Sequence, residues 1–274
     1  QAEDGIRDRD VTGVQTCALP IFVLTAAEKD KDGFVSVFNG KDFEGWAGPV
    51  DNYEVVDGAI RCKKGKGGTI YTKEEFGDFI VRLEFTVPAG GNNGLAIRYP
   101  GQGDTAYVGM CEIQVLDDNY DKVRGKIDPR QAHGSAYGMV AAKRGFQKPN
   151  GEWNYQEVTV KGSTIKVVLN GEVILDTDLS KVDPETFMGK SKHPGLTRTK
   201  GYFGFAGHSD PVAFRNIRIK KLPSSGVTPE LTAPVDEGFR PLYTGVDLRG
   251  WKATPAHSTH WQAKNWTITS DGKA

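Results

Sequence analysis

The 274-residue sequence carries no net charge and contains no long apolar run. Its 35 lysines and arginines are balanced by 35 aspartates and glutamates, which argues against a general nucleic-acid binder because such a protein needs a basic face. No stretch of 18 apolar residues occurs, so no transmembrane helix is predicted. Three cysteines are too few for a scaffold built on disulfides. Long helical periodicity is also missing, which excludes a helical bundle.

Glycine is abundant instead, with 34 residues, and Gly/Asn/Asp-rich turns separate short apolar runs. The predicted strands are Val35–Phe38, Tyr53–Val56, Phe79–Val87, Gly94–Arg98, Cys111–Leu116, Tyr155–Val160, Thr164–Leu169, Val173–Leu175, Tyr202–Ala206 and Val212–Lys220. Asn170–Gly171 and Gly162–Ser163 each predict a tight hairpin turn between two strands. Lys73–Phe76 and Pro184–Phe187 are predicted to form short helical turns. Many strands without helices between them favour an all-β sandwich of two antiparallel sheets.

The first 21 residues differ from the rest of the chain. They read QAEDGIRDRDVTGVQTCALPI, and their four acidic residues outnumber two arginines, so they lack the positive start of a signal peptide. The stretch resembles a translated sequencing-library adapter with an index at Arg9–Asp10. We therefore expect an assembly artefact, followed by a disordered lead-in to residue 32. Without this stretch the net charge is +2, and Cys17 drops out, leaving Cys62 and Cys111 as expected buried or unpaired cysteines.

A repeated motif links two distant parts of the chain. Residues 239–251 (FRPLYTGVDLRGW) align without gaps on residues 34–46 (FVSVFNGKDFEGW) at a constant offset of 205. In each copy an apolar strand and a glycine turn precede a tryptophan, Trp46 or Trp251, which is predicted to pack beneath a sandwich. Trp261–Thr269 is predicted to be a further strand of the second copy.

These features predict the domain organisation. Residues 223–238 are rich in Pro, Ser, Thr and Gly and are typical of a linker. We expect one domain over residues 33–222. Residues 239–274 are then the truncated start of a second copy of that domain, because about 35 residues are too few to bury a sandwich core.

Six short motifs occur in order between Gly33 and Leu222. They are Phe38–Trp46 (FNGKDFEGW), Asn93-Gly94 with Arg98, Glu112–Asp117 (EIQVLD), Gly151–Asn154 (GEWN), Leu169–Gly171 (LNG), and Gly207-His208 with Val212–Ile217 (VAFRNI). Together they resemble the 3-keto-disaccharide hydrolase family, also described as 3-keto-glucoside 1,2-lyases and 3-keto-2-hydroxyglucal hydratases. The resemblance implies a concanavalin A-like jelly roll and activity on glycosides oxidised at carbon 3. It also implies a periplasmic or secreted protein.

Strand alternation predicts which side chains share a face. Glu112 and Gln114 lie on one face of their strand, with Ile113 on the other, and Arg98 shares a face with Gly94. Arg98, Glu112 and Gln114 are therefore predicted to meet on a concave outer face, where they can bind sugar hydroxyls and a ketone. An exposed cross-strand ion pair between Glu112 and Arg98 is the alternative.

An acidic loop, Asp117-Asp118-Asn119-Tyr120-Asp121, follows that strand. Its oxygens can supply a second carboxylate or ligands for a divalent cation. An ordinary Asp/Asn-rich turn is the alternative. The family motif adds Asp117 alone to the candidate catalytic residues, and no other cofactor is predicted.

Two histidines and one lysine are further candidates. His133 lies in a Gly/Ser-rich loop and His208 in the final hairpin turn, and either can act as acid or base near neutral pH, although a loop histidine is often merely solvated. Lys148 can stabilise an enolate oxygen. Trp153 can stack on a sugar or pack into the core. The candidate substrate-binding residues are Asn93, Arg98, Gln114, Tyr137 and Trp153.

The family resemblance implies a reaction that begins at carbon 2. A ketone at carbon 3 acidifies the proton on carbon 2; a base removes it, the aglycone leaves from carbon 1, and water adds to the enone. The candidates are Glu112 or His133 as base, Arg98 or Lys148 as enolate stabiliser, and Asp117 or His208 as acid or ligand. A two-carboxylate glycosidase, a non-catalytic carbohydrate-binding module and a structural domain of a larger surface protein are the alternatives.

Overall fold

The computed structural model describes residues 29–224, 251, 254–264 and 267–272. Two antiparallel sheets pack face to face and form an all-β jelly-roll sandwich, which confirms the predicted fold class. In the part of the chain that is described, no helix is long and apolar enough to cross a membrane.

The larger sheet has eight strands in the order β11-β10-β9-β6-β13-β4-β3, with β1 paired to β13. Its strands are β1 (Val35–Ser36), β3 (Tyr53–Val56), β4 (Ala59–Cys62), β6 (Phe79–Thr86), β9 (Asn154–Lys161), β10 (Thr164–Leu169), β11 (Glu172–Asp178) and β13 (Ala213–Lys221). Both predicted hairpin turns are confirmed, since Lys161 pairs with Thr164 and Leu169 with Glu172. Asn170 and Gly171 adopt positive φ angles of 51° and 97°, as a tight two-residue turn requires.

The smaller sheet has five strands in the order β2-β5-β12-β7-β8. Its strands are β2 (Trp46–Ala47), β5 (Gly67–Phe76), β7 (Asn92–Tyr99), β8 (Cys111–Leu116) and β12 (Gly201–His208). A bridge between Ile113 and Ala136 adds residues 134–140 alongside β8. This sheet and its neighbouring segments carry the candidate site.

Short helices connect the strands. They are α1 (Thr105–Val108), α2 (Tyr120–Val123) and the 3-10 turns Val50–Asn52, Pro129–Gln131, Leu179–Lys181, Pro184–Thr186 and Met188–Lys190. The predicted helical turn at Pro184 is confirmed. The one predicted over Lys73–Phe76 is wrong, because these residues end β5. Lys73, Glu74 and Glu75 are exposed, so no apolar alternation indicates a strand in the sequence here. The strand is defined by its pairing with β12.

Alternating apolar side chains from both sheets fill the space between them. Phe79, Val81, Leu83 and Phe85 of β6 are each at most 1% exposed, and burial of each stabilises the fold by roughly 1.5–3 kcal/mol. Trp46 stacks on Phe205 at a centroid distance of 5.4 Å, as predicted from the sequence motif. Cys62 and Cys111 are buried and unpaired, which confirms that prediction.

The C-terminal part contains a short helix and a separate two-stranded sheet. After α3 (Pro255–Ser258), strand β14 (Trp261–Lys264) pairs with β15 (Thr267–Ser270). Four residue pairs join these strands, as four pairs join β3 to β4. Trp251 is 51% exposed, unlike Trp46. The adapter-like stretch, most of the linker and residues 239–250 of the repeat lie outside the described residues, so the second copy stays a prediction.

Candidate functional site

One row of paired residues crosses the outer face of the smaller sheet. Glu112 on β8 is opposite Ala96 on β7, Ala96 is opposite Gly204 on β12, and Gly204 is opposite Tyr71 on β5. Strand alternation turns these side chains away from the core. Because Ala96 and Gly204 are small, the segment of residues 100–110 can fold back onto this face. Its Thr105 Oγ1 lies 2.5 Å from Oγ1 of Thr69 on β5.

Glu112 is the chemically unusual residue of this face. It is 3% exposed, and no hydrogen bond from a described residue contributes to the pKa of its carboxyl group. Burial, and to a lesser extent the charge of Asp104, raise the pKa of Glu112 to about 8. A carboxyl group with such a pKa can accept a proton near neutral to alkaline pH.

Gln114 lies on the same face, two residues after Glu112. It is 3% exposed, and its side-chain amide donates to Asn92 Oδ1 at 2.9 Å. The backbone N–H of Asn92 in turn donates to Asp210 Oδ2 at 3.1 Å. This chain of hydrogen bonds orients the Gln114 amide and leaves Gln114 Oε1 buried without a donor. A substrate hydroxyl can supply that donor.

Tyr137 is held directly beside Glu112. Its backbone N–H donates to the Glu112 carbonyl at 2.9 Å, next to the bridge between Ile113 and Ala136. The Tyr137 hydroxyl accepts a hydrogen bond from Gln131 Nε2 at 3.0 Å, while Gln131 Oε1 accepts from the Asp128 N–H. Because Gln131 acts as the donor, the Tyr137 proton can be given to a substrate oxygen.

The segment of residues 100–110 brings two more groups to the site. Asp104 begins α1, where its Oδ1 accepts from the Ala106 N–H at 3.1 Å. The Tyr107 ring lies 6.4 Å from the Tyr137 ring, and the pKa of Tyr107 is raised by burial and, to a lesser extent, by Tyr137, Asp104 and Glu112.

His208 reaches solvent at the end of β12 on the same face. Protein packed around its ring lowers the pKa of His208, and the carboxylates of Asp104 and Asp210 act in the opposite direction. The structure therefore brings four predicted site residues onto this face or its edge. They are Glu112, Gln114, Tyr137 and His208.

Arg98 is not on this face, and its predicted meeting with Glu112 is wrong. Its positive φ of 49° breaks the strand alternation, and the side chain is 1% exposed. Arg98 Nη2 lies 2.8 Å from Asp78 Oδ1, and its other nitrogens donate to the carbonyls of Gly77, Gly162 and Arg198. Arg98 is thus fully engaged in a buried structural ion pair.

His133 lies in the core rather than in an open loop. It is 2% exposed, stacks on Phe85 at 4.9 Å, and pairs through Nε2 with Gln156 Oε1 at 2.9 Å. Burial lowers the pKa of His133 to about 4, so the ring is neutral at pH 7. Asn93 likewise faces the core: it is fully buried, and its Oδ1 accepts from the Gly94 N–H. Neither side chain joins Glu112.

Asp117 stabilises loops. Its Oδ2 accepts from the Gly90 N–H at 2.8 Å, and its Oδ1 accepts from the Asn119 N–H and Asn150 Nδ2 at 3.0 Å each. Asp121 pairs with Arg144. Within the described residues, no three His, Cys, Asp or Glu side chains converge as a metal site. The acidic loop is bonded to protein donors, as the turn interpretation expects.

Lys148 and Trp153 also lie apart from Glu112. The exposed Lys148 donates through Nζ to the Trp153 carbonyl at 3.0 Å. Arg215 stacks over the Trp153 ring at 4.0 Å and pairs with Glu84 on the outer face of the larger sheet. The sandwich core separates Trp153 from a substrate bound at Glu112, and the Lys148 ammonium group is engaged with the Trp153 carbonyl.

Sequence reasoning missed several residues of the site. They are Asn92, Asp104, Tyr107 and Asp210. One of them had a local signal, since Asp104 follows Pro100-Gly-Gln-Gly and precedes Thr105-Ala106, a pattern typical of a helix start after a turn. Asp210 contributes through a hydrogen bond to Asn92, 118 residues away in the chain. No local pattern indicates that contact.

Comparison with known proteins identifies the family of this domain. Residues 33–220 match the family model of the 3-keto-alpha-glucoside-1,2-lyase-like domain. The chain belongs to this family. A 3-keto-disaccharide hydrolase of Bacteroides thetaiotaomicron is 31% identical over 237 residues, covering 70% of this chain and 80% of that protein. The predicted family resemblance is thereby confirmed.

Solved structures agree with this lyase-like family fold. A presumed glycosyl hydrolase of Parabacteroides distasonis superposes with a TM-score of 0.58 at 27% identity, covering 70% of this chain and 95% of that one. A second such structure from the same organism has a TM-score of 0.56 at 27% identity, covering 69% and 99%. The lyase-like domain therefore accounts for nearly the whole of both structures.

Proposed function

We propose that this domain cleaves the glycosidic bond of 3-keto-glycosides, including 3-keto-disaccharides, by elimination followed by hydration. The observation that carries the proposal is the buried Glu112 carboxyl group, which lacks a hydrogen-bond donor and has a pKa of about 8. Such a group suits removal of a proton from a carbon next to a ketone. Family membership and the hydrolase relative support a carbohydrate substrate.

In the proposed reaction Glu112 takes the proton from carbon 2. The C–H electron pair first forms a double bond between carbons 2 and 3, and the ketone oxygen becomes an enolate. When the ketone re-forms, the pair moves to the bond between carbons 1 and 2, and the bond from carbon 1 to the aglycone oxygen breaks. Water then adds at carbon 1 and a proton returns to carbon 2, so the net change is hydrolysis. Tyr137 donates to the enolate oxygen, which stabilises the charge that develops there. Gln114 Oε1 accepts a sugar hydroxyl, and His208 protonates the leaving oxygen.

These assignments revise the expectations from sequence. His133, Arg98, Asp117 and Lys148 are engaged in the core, in an ion pair or in loop contacts. Glu112 remains as the proposed base, and Tyr137 takes the role first considered for Arg98 or Lys148. A periplasmic or secreted location stays a proposal that follows from the substrate class.

A reaction in deuterium oxide tests this chemistry. The protein is incubated with a 3-keto-glucoside and, separately, with the unoxidised parent glucoside. We expect turnover of the keto sugar alone, with deuterium at carbon 2 of the released product, because the returning proton comes from solvent. The control for spontaneous exchange is the keto-glucoside without protein. Equal turnover of both sugars, or a product without deuterium, would rule out the elimination and favour direct hydrolysis, as in a two-carboxylate glycosidase.

A non-catalytic carbohydrate-binding module is the alternative. Tyr71 and Tyr202 favour it, because their half-buried rings lie 5.0 Å apart on the same face and resemble a stacking platform. Binding of the keto-glucoside without product release, unchanged in Glu112→Gln, would establish that alternative. A loss of turnover of at least 100-fold in Glu112→Gln, with binding retained, would support the enzyme.

A further inference from the structure

Gly94 lies directly beneath the Glu112 side chain. A Cβ atom built on Gly94 would lie 2.5 Å from Glu112 Cγ and closer still to its Cδ and Oε1. Real Cβ atoms essentially never make such contacts, so any side chain at position 94 must displace Glu112. The φ angle of Gly94 is outside the left-handed region. The lack of room for a side chain, rather than the backbone conformation, therefore explains why position 94 is a glycine.

The register shows how Glu112 reaches this position. Glu112 is paired with Ala96, whereas Gly94 is paired with Gln114. The Glu112 side chain therefore leans along the strands, away from Ala96 and onto the pair formed by Gly94 and Gln114. There it lies flat on the sheet, 3% exposed, beside the residue whose Oε1 also lacks a donor.

We propose that Gly94 is a positioning residue that provides a seat for the Glu112 carboxyl group. The proposal rests on the proposed function in taking Glu112 as the base. Two consequences follow from the seat. The carboxyl group is kept low on the sheet in a residue that is 3% exposed, and the carbon that loses its proton would approach it from the side opposite Gly94. A side chain at position 94 would push the carboxyl group toward that side.

Gly94→Ala tests the seat directly, with Gly77→Ala as the matched control. Gly77 lies next to a strand end, and its added Cβ would meet nothing closer than Thr199 O at 3.4 Å. The first readout is the titration of the Glu112 carboxyl group by carbon-13 NMR, assigned with Glu112→Gln. We expect its pKa of about 8 to fall by at least one unit in Gly94→Ala and to stay unchanged in Gly77→Ala.

The second readout is steady-state kinetics on a 3-keto-glucoside. In Gly94→Ala we expect kcat/KM to fall at least tenfold, with the alkaline-activated limb of its pH profile shifted to lower pH. Gly77→Ala is expected to stay within twofold of the unmodified protein. Combining Gly94→Ala with Glu112→Gln should add little to the loss caused by Glu112→Gln alone, because both changes act on one group.

The outcomes separate this proposal from the proposed function. If Glu112→Gln keeps full activity, Glu112 is not the base, but the NMR titration still reports whether Gly94 seats it. If Glu112→Gln abolishes turnover while Gly94→Ala changes neither titration nor rate, the seat is overturned and the base stands. If Gly94→Ala is unstable, the Gly94→Ala/Glu112→Ala double variant provides the test. Its melting temperature should recover, and an undiminished loss would refute the contact.

Discussion

At the scale of single residues, the buried Glu112 carboxyl group lowers the stability of the folded protein. A buried carboxyl group without a hydrogen-bond donor costs free energy, and proteins avoid such groups unless they serve a purpose. Gln114 adds a buried oxygen without a donor two residues away. The Glu112 carboxyl group, whose pKa is raised by burial, and the unpaired Gln114 Oε1 therefore lie on one face, where each can accept a hydrogen bond from a polar substrate.

Arg98 and Asp78 provide a prediction at the same scale. Asp78→Ala leaves the buried Arg98 guanidinium without its counter-ion, so we expect the free energy of unfolding to fall by about 3–5 kcal/mol. Urea denaturation measures this change. The matched control is Glu185→Ala, which breaks the exposed pair with Lys190 and should cost at most about 1 kcal/mol.

Kinetics decide whether the same ion pair belongs to the site. Because Arg98 is engaged with Asp78 and three carbonyls, Asp78→Ala should leave kcat/KM nearly unchanged at temperatures where the variant is folded. A strong loss of kcat with unaltered stability would instead return Arg98 to the catalytic machinery, where the strand pattern first placed it.

At the scale of elements, the segment of residues 134–140 completes the site by pairing with β8. This pairing sets Tyr137 beside Glu112, and the 3-10 turn Pro129–Gln131 then supplies the amide that orients the Tyr137 hydroxyl. The backbone N–H of Asp128 donates to Gln131 Oε1 and thereby fixes the Gln131 side chain. The site is therefore built from a strand, a bridging segment and a capped turn.

Removal of the Tyr137 hydroxyl should mainly affect the chemical step. Tyr137→Phe is expected to lower kcat on a 3-keto-glucoside by about 100-fold, because one donor to the developing oxyanion is lost. Gln131→Ala should lower kcat less, since the hydroxyl remains but is no longer oriented. Steady-state kinetics of both variants check this order. Tyr155→Phe, an exposed residue of the larger sheet, serves as the control. A larger effect of Gln131→Ala than of Tyr137→Phe would contradict the assignment.

At the scale of the whole molecule, Glu112 and His133 make stability depend on pH in opposite directions. The folded pKa of Glu112, about 8, exceeds its ordinary value of 4.5. The contribution of protonated Glu112 to the free energy of unfolding is therefore fully present below pH 4.5 and is lost as pH rises to 8. The folded pKa of His133, about 4, lies below its ordinary 6.5. Its contribution is present above pH 6.5 and is lost as pH falls to 4.

Glu112→Gln isolates one of these two effects. We expect the variant to gain stability over the unmodified protein as pH rises from 4.5 to 8, by on the order of 4 kcal/mol in total. Chemical denaturation across pH 4–9 measures the difference. His133 is present in both proteins, so its effect cancels. A difference that does not change with pH would mean that Glu112 is not buried as the structure places it.

The amino-acid sequence by itself determined the local geometry of this protein. Alternation along β8 placed Glu112 and Gln114 on one outer face, and Asn170–Gly171 defined a hairpin. These features depend on backbone periodicity and on the φ preferences of individual residues, so short stretches of sequence suffice to predict them. The family motifs added the substrate class as an expectation.

The tertiary structure decided which side chains meet. One positive φ angle directs the Arg98 side chain into the protein, where it forms an ion pair with Asp78. His133 is buried against Phe85. Tyr137 became the neighbour of Glu112 through a bridge between segments. Such contacts join residues far apart in the chain, so their partners are selected by packing of the whole sandwich rather than by any local pattern.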